Sequence, residues 1–182
     1  MNSTNTPTST TTPTNNPKPT PHPNFTVCKP PHVPTLRNRS IFLAGSIEMG
    51  KAIQWQRSME EVLSPYDLTL LNPRRGNWDA SLVQDISCGE FRGQVEWELD
   101  CLDACTAIVM YFDPRSKAPI SLLELGLYAR SGRLLVCCPV GFWRRGNVQI
   151  VCERFGVPLV ETLEQLVEGV LERVGEKGVG GK

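Results

Sequence analysis

One carboxylate interrupts the apolar run Ser121-Leu-Leu-Glu-Leu-Gly-Leu-Tyr-Ala129, and an acidic side chain placed among leucines needs an explanation. Two compete for Glu124. Ser121 and Glu124 have the S-x-x-E spacing of a capping box, which satisfies backbone donors at a helix start, and spacing alone favours this reading. Against it, Glu124 lies just beyond the carboxyl end of an apolar strand, where the positive pole of its own helix favours the ionised form. An ionised, partly desolvated carboxylate at such a rim is what nucleophilic catalysis at a sugar carbon requires.

Other reactive types offer less. The seven cysteines are an odd number with no apolar signal segment ahead of them, so reduced thiols in the cytoplasm are expected. Cys137-Cys138 lies in a buried-strand pattern and reads as two small core residues rather than a redox pair. His22 and His32 both fall in the leading segment, and Cys101/Cys105 has no second pair at zinc spacing, so neither a metal nor another cofactor is expected. Nineteen basic residues balance nineteen acidic ones, which removes the electrostatic case for a nucleic-acid polymer or an acidic membrane surface as partner. No apolar run approaches the roughly 20 residues of a membrane-spanning helix.

The elements that must position Glu124 follow from patterning. A chain of 182 residues, 40% hydrophobic, can bury one sizeable core and is too short for two. Residues 1–36 hold nine of the fifteen prolines and no Asp, Glu or Arg, which predicts a disordered tail; 37–174 is the expected domain and 175–182 a flexible end. Apolar runs at 40–46, 68–71, 107–112, 134–138 and 158–160 predict five strands. Between them lie helical patterns: Ala52, Trp55, Met59, Val62 and Leu63; then Phe91, Val95, Leu99 and Leu102; then 121–129, closed by Gly132. A helix near 147–155 and one bearing Leu163, Leu166, Val167, Val170 and Leu171 complete the set. Strands alternating with helices imply right-handed crossovers, hence an α/β fold: a flavodoxin-like or Rossmann-like three-layer sandwich on a five-stranded parallel sheet.

Ligands of such sheets bind beyond the carboxyl ends of the strands. Those ends are Gly45-Ser46-Ile47, Asn72-Pro-Arg-Arg75, Asp113-Pro-Arg115 and Pro139-Val-Gly-Phe-Trp-Arg144. Arginines, a glycine turn and aromatic rings suit a compact ligand with hydroxyl or anionic groups and a flat ring. The segment 44–50 lacks the full G-x-G-x-x-G fingerprint, and no acidic residue ends the second strand, so a dinucleotide dehydrogenase is not expected. The same turn is as readily a tight strand-to-helix connection as a cradle for phosphate or sugar hydroxyls.

Five motifs in one order span nearly all of 40–155: Gly45-Ser-Ile47; Asn72-Pro-Arg-Arg75 with Trp78; Gln94-Val-Glu-Trp-Glu98; Tyr111-Phe-Asp-Pro114 leading to Ser121-Leu-Leu-Glu-Leu-Gly126; and Cys138-Pro-Val-Gly-Phe-Trp143 with Gly146-Asn147. Together they resemble the nucleoside 2-deoxyribosyltransferase-like family. The resemblance implies that Glu124 attacks C1′ of a 2′-deoxynucleoside and that the covalent deoxyribosyl group then passes to another base or to water. It also implies an acidic residue on the preceding helix that handles the departing base. Glu98 matches that position, with Glu where the family has Asp and Thr106 where it has another Asp, so Glu96 and Asp100 stay open as alternatives. Periodicity favours Glu98, which borders the Val95/Leu102 stripe, while Glu96, Asp100 and Asp103 share a separate charged face. Ion pairing to Arg74 or Arg75 is the structural alternative for Glu98.

The expected site is thus Glu124 and Glu98 as catalytic groups, with Gly45, Ser46, Asn72, Arg74, Trp78, Asp113, Ser121, Trp143 and Asn147 around the substrate. The partner is a small-molecule nucleoside or nucleotide, and the family resemblance implies a homo-oligomer. A hydrolase of deoxynucleoside 5′-monophosphates and a non-catalytic nucleotide-binding module are the competing readings.

Overall fold

Four of the strands are apolar on both faces because both faces are covered. The computed structural model describes residues 19–36, 39–47, 52–76 and 82–176. In chain order its elements are β1 (Thr26–Cys28), β2 (Ser40–Gly45), α1 (Trp55–Leu63), β3 (Thr69–Leu71), α2 (Gly89–Ala104), β4 (Ala107–Tyr111), α3 (Pro119–Tyr128), β5 (Leu134–Cys137), α4 (Arg145–Phe155), β6 (Leu159–Val160) and α5 (Leu163–Arg173). Every pairing is parallel, in the order β1-β3-β2-β4-β5-β6. From β2 onward this is the flavodoxin-like order, with its reversal between β2 and β4.

Alternation along each strand splits the core. Ile41, Leu43, Val109, Leu135 and Cys137 face α1 and α5 with Trp55, Met59 and Leu166. Phe42, Ala44, Ile108, Met110, Val136 and Cys138 face the other layer, packing on Trp97, Cys101, Leu125, Val148 and Cys152. Cys137 and Cys138 therefore point to opposite faces of the sheet, and burial pushes their thiols up to about 12 and about 11. Neither is poised as a thiolate at neutral pH.

Six strands replace the expected five. The sixth, β1, comes from within the segment read as a disordered tail, and docks at the sheet edge with Thr26 opposite Thr69 and Cys28 opposite Leu71. The edge is where a proline-flanked strand can pair, since only one side of it needs N–H donors. The chain then crosses α2, where His32 O accepts from Trp97 Nε1 at 2.8 Å. Residues 1–18 and 177–182 lie outside the described residues.

Ala52, Trp55, Met59, Leu63 and Leu102 are buried as expected, and the faces of two helices differ from expectation at single positions. On α1, Val62 is exposed and Gln56 takes the buried place beside Met59 and Leu63. On α2 the buried residues are Trp97, Cys101 and Leu102, while Leu99 faces out. A heavy indole and a thiol outcompete Leu99 for the core, and Gln94 and Glu98 lie at the border of the buried face, as periodicity expects of Glu98. Among the described residues no helix is long and apolar enough to cross a membrane.

Candidate functional site

Backbone geometry at the reversal point fixes where side chains converge. Gly45 has φ +135°, and a Cβ there would lie 2.7 Å from the Tyr111 nitrogen and closer still to its carbonyl oxygen. Glycine alone permits that approach, which lets Ser46 N donate to Tyr111 O at 2.9 Å and join the ends of β2 and β4. Ser46 Oγ accepts from Asp113 N at 2.9 Å and lies 2.6 Å from Ser116 Oγ. Ser116 donates to Asp113 O at 3.0 Å, so the proton between the two hydroxyls comes from Ser46.

Asp113 and Arg74 anchor the approach to α1. The Asp113 carboxylate accepts from Ile53 N at 3.3 Å and from Arg115 N, Nε and Nη2 at 2.9 to 3.2 Å. Burial raises its proton affinity, yet the Arg115 and Ile53 hydrogen bonds outweigh that and hold its carboxyl below the usual range. Arg74 donates to Ile53 O at 2.9 Å and Ala52 O at 3.1 Å, and its own N–H bonds Asn72 Oδ1. Asn72 Nδ2 in turn donates to Glu60. Gly45, Ser46, Asn72, Arg74 and Asp113, expected around a substrate, thus have mutual or backbone partners that build the rim.

The two expected catalytic acids meet elsewhere, between α2 and α3. Glu124 is 8% exposed. Burial, and then the charge of nearby Glu98, push its carboxyl up to about 8. The expectation of an ionised Glu124 is therefore corrected for the free protein at neutral pH. Glu124 is the sixth residue of α3, past the first turn in which the helix pole acts, and desolvation dominates. The capping-box alternative falls as well: α3 starts from Ala118 in the left-handed region with Pro119 at its first position, no side-chain cap bond forms, and Ser121 sits inside the helix, buried like Glu124.

Glu98 is held differently. Burial raises its carboxyl, while a hydrogen bond from Gln94 and the charge of Arg75 pull it part of the way back. Gln94 Nε2 donates both to Glu98 Oε1 and to Pro73 O, and Arg75 Nε donates to Gln94 Oε1. Arg75 also pairs with Glu90. Of the two arginines offered by the sequence as ion partners, Arg75 acts on Glu98. Glu96 pairs with Arg92 on the exposed face of α2, and Asp100 is exposed. Gln94 and Arg75 were absent from the expected site residues; the i,i+4 spacing of Gln94 and Glu98 was the available signal.

Trp143 is half exposed at the end of β5, its Nε1 donating to Lys117 O at 3.0 Å. Lys117 Nζ and Arg144 Cζ stand 4.7 and 4.4 Å from its ring centroid, so a base stacking there would compete with cations. Asn147 is exposed on the first turn of α4. Trp78 lies outside the described residues.

A family model described as "Nucleoside 2-deoxyribosyltransferase like" matches residues 38–142, from the approach to β2 through the turn after β5. A solved structure of a conserved protein from Enterococcus faecalis V583 superposes with a TM-score of 0.54 at 12% identity, covering 74% of this chain and 98% of that one. That likeness concerns the fold. No curated protein matches the chain.

Proposed function

Because this chain belongs to the nucleoside 2-deoxyribosyltransferase-like family, we propose that it breaks the N-glycosidic bond of a 2′-deoxynucleoside and transfers the sugar to a second base through Glu124. The observation that carries this reading is the buried carboxyl of Glu124 on α3 within electrostatic reach of the half-buried Glu98 on α2. Burial raises the proton affinity of both acids, and the charge of Glu98 raises that of Glu124 further, so the pair favours a state with one carboxylate and one carboxylic acid. One carboxylate and one proton are what a double displacement needs, an oxygen to attack C1′ and a hydrogen for the departing nitrogen. The acceptor base then reverses the same geometry.

Hydrolysis of a deoxynucleoside 5′-monophosphate is the second reading, favoured by Arg115, Lys117 and Arg144, all exposed where β4 and β5 end. Those cations suit a substrate that carries phosphate. Incubation with a deoxynucleoside plus a free base, and separately with a deoxynucleotide, separates the readings by chromatography. Exchanged nucleoside supports transfer; free sugar phosphate supports hydrolysis; binding with neither product leaves a non-catalytic module and removes the proposal.

The implied homo-oligomer has a candidate face on the catalytic helix itself. Ile120, Leu123 and Leu127 form one stripe of α3, each 58 to 60% exposed. A second copy of the chain covers that stripe in the proposed assembly, and Leu123→Glu is expected to yield monomers by light scattering.

A further inference from the structure

The amide of Gln94 can point only one way. Its Oε1 accepts from Arg75 Nε, a group that can only donate, and its Nε2 donates at 3.2 Å to Pro73 O, a group that can only accept. What remains for Glu98 Oε1 is therefore an N–H. An N–H stabilises a carboxylate and gives a protonated oxygen nothing to donate to. Arg75, carried by the loop after β3, adds its positive charge from the same side. The other titratable groups around Glu98 are Glu124 on α3, the Cys101 thiol one turn along α2, which burial keeps neutral, and Glu90, which pairs with Arg75. None of the hydrogen bonds among the described residues ends on the Glu124 carboxyl, so the two acids of the pair are not equivalent.

We infer that Gln94, oriented by Arg75 and the Pro73 carbonyl, is a positioning residue that keeps Glu98 as the anion of the pair and so stores the pair's proton on Glu124. This rests on the reading of the pair as the site of base exchange and reassigns the proton within it. Glu98 becomes a relay rather than a resting acid. As a Glu124 oxygen bonds to C1′, the C1′–N pair of electrons leaves with the base. The Glu124 proton passes to Glu98, and a proton passes from Glu98 to the base nitrogen. Glu124 ends as the sugar ester, Glu98 ends ionised as it began, and the base departs protonated, with no water or other reactant consumed.

Carboxyl-labelled glutamate, followed by carbon NMR through a pH titration of the free protein, tests the assignment, with Glu98→Gln and Glu124→Gln supplying the resonances. The expected result is that Glu98 ionises well below Glu124. Gln94→Leu, with its fold verified from the amide spectrum, should raise the Glu98 midpoint by about one pH unit or more and lower that of Glu124. Arg75→Gln should likewise raise the Glu98 midpoint and lower that of Glu124, and serves if Gln94→Leu does not fold. A higher midpoint for Glu98 in the unaltered protein, or midpoints unmoved in either variant, overturns the inference. The titration needs no substrate: if it behaves as expected while no nucleoside or nucleotide is ever cleaved, the proposed function fails and the proton's address stands.

Discussion

At the ends of β2 and β4, the polar atoms of Ser46, Ser116, Asp113 and Arg115 are matched donor to acceptor, whereas between α2 and α3 the charge of one carboxyl, Glu98, acts on a second, buried one, Glu124. Each cluster holds one buried acid, Asp113 in the first and Glu124 in the second. In the first, hydrogen bonds overcome desolvation and hold Asp113 below the usual range; in the second, desolvation and a like charge drive Glu124 up to about 8. A buried acid with full bonding supports the fold, and one without it is kept at a cost to stability that chemistry explains. The contrast separates scaffold from site where residue type alone does not.

The largest expected effect lies in the pair. Glu124→Gln should lower kcat for base exchange by about 10⁴-fold, measured by chromatography, while Asp113→Asn should change it far less. Comparable losses in both would erase the distinction between the two clusters. Next comes the pH profile: the active form carries one proton on the pair, so kcat/KM should fall about tenfold per unit above the Glu124 midpoint near 8.

Stability should respond to pH with opposite signs in the two clusters. Glu124 titrates higher in the folded chain than its ordinary 4.5, so the folded state binds the extra proton. Its contribution is most favourable below 4.5 and is lost as pH rises through about 8. Glu124→Gln should therefore raise Tm at pH 9 by a few degrees and leave it nearly unchanged at pH 4. Asp113, held below its ordinary value, contributes stability above that value and loses it as pH falls through its depressed midpoint. Asp113→Asn should cost about 1–3 kcal/mol at pH 7 in denaturant unfolding, and less in acid. Matching slopes for the two variants would contradict the contrast. The smallest effect is at the periphery, where Trp143→Ala should raise KM a few-fold with kcat nearly intact.

Much of this architecture is legible in the residues. The runs 107–112 and 134–138 are apolar throughout because both faces of their strands are covered, and such runs identify central parallel strands without further help. Thr26–Cys28 is three residues among prolines, and its pairing depends on an edge that only the assembled sheet provides. On α2 the apolar stripe Phe91, Val95, Leu99 and Leu102 points to the core at Leu102, while Trp97 and Cys101 take the place that Leu99 suggests, because shape and burial in the assembled core outweigh the local periodicity. Thr162 and Gln165 form a true capping box at α5, whereas the same kind of spacing at Ser121 and Glu124 forms none, because Ala118 and Pro119 start α3 three residues earlier than the motif supposes. The bonding of Arg74 and Asp113 to Ala52 and Ile53 joins distant segments, which no local pattern encodes.

The central claim is that Glu124 becomes covalently attached to the sugar. Brief exposure to a 2′-fluoro-2′-deoxynucleoside, which slows breakdown of a glycosyl ester, followed by intact-protein mass and peptide mapping, addresses it directly. The account predicts one added fluorodeoxyribosyl group on the peptide containing Glu124, and none in Glu124→Gln. An adduct on Glu98, or base exchange proceeding with Glu124 unmodified and replaceable, would contradict it.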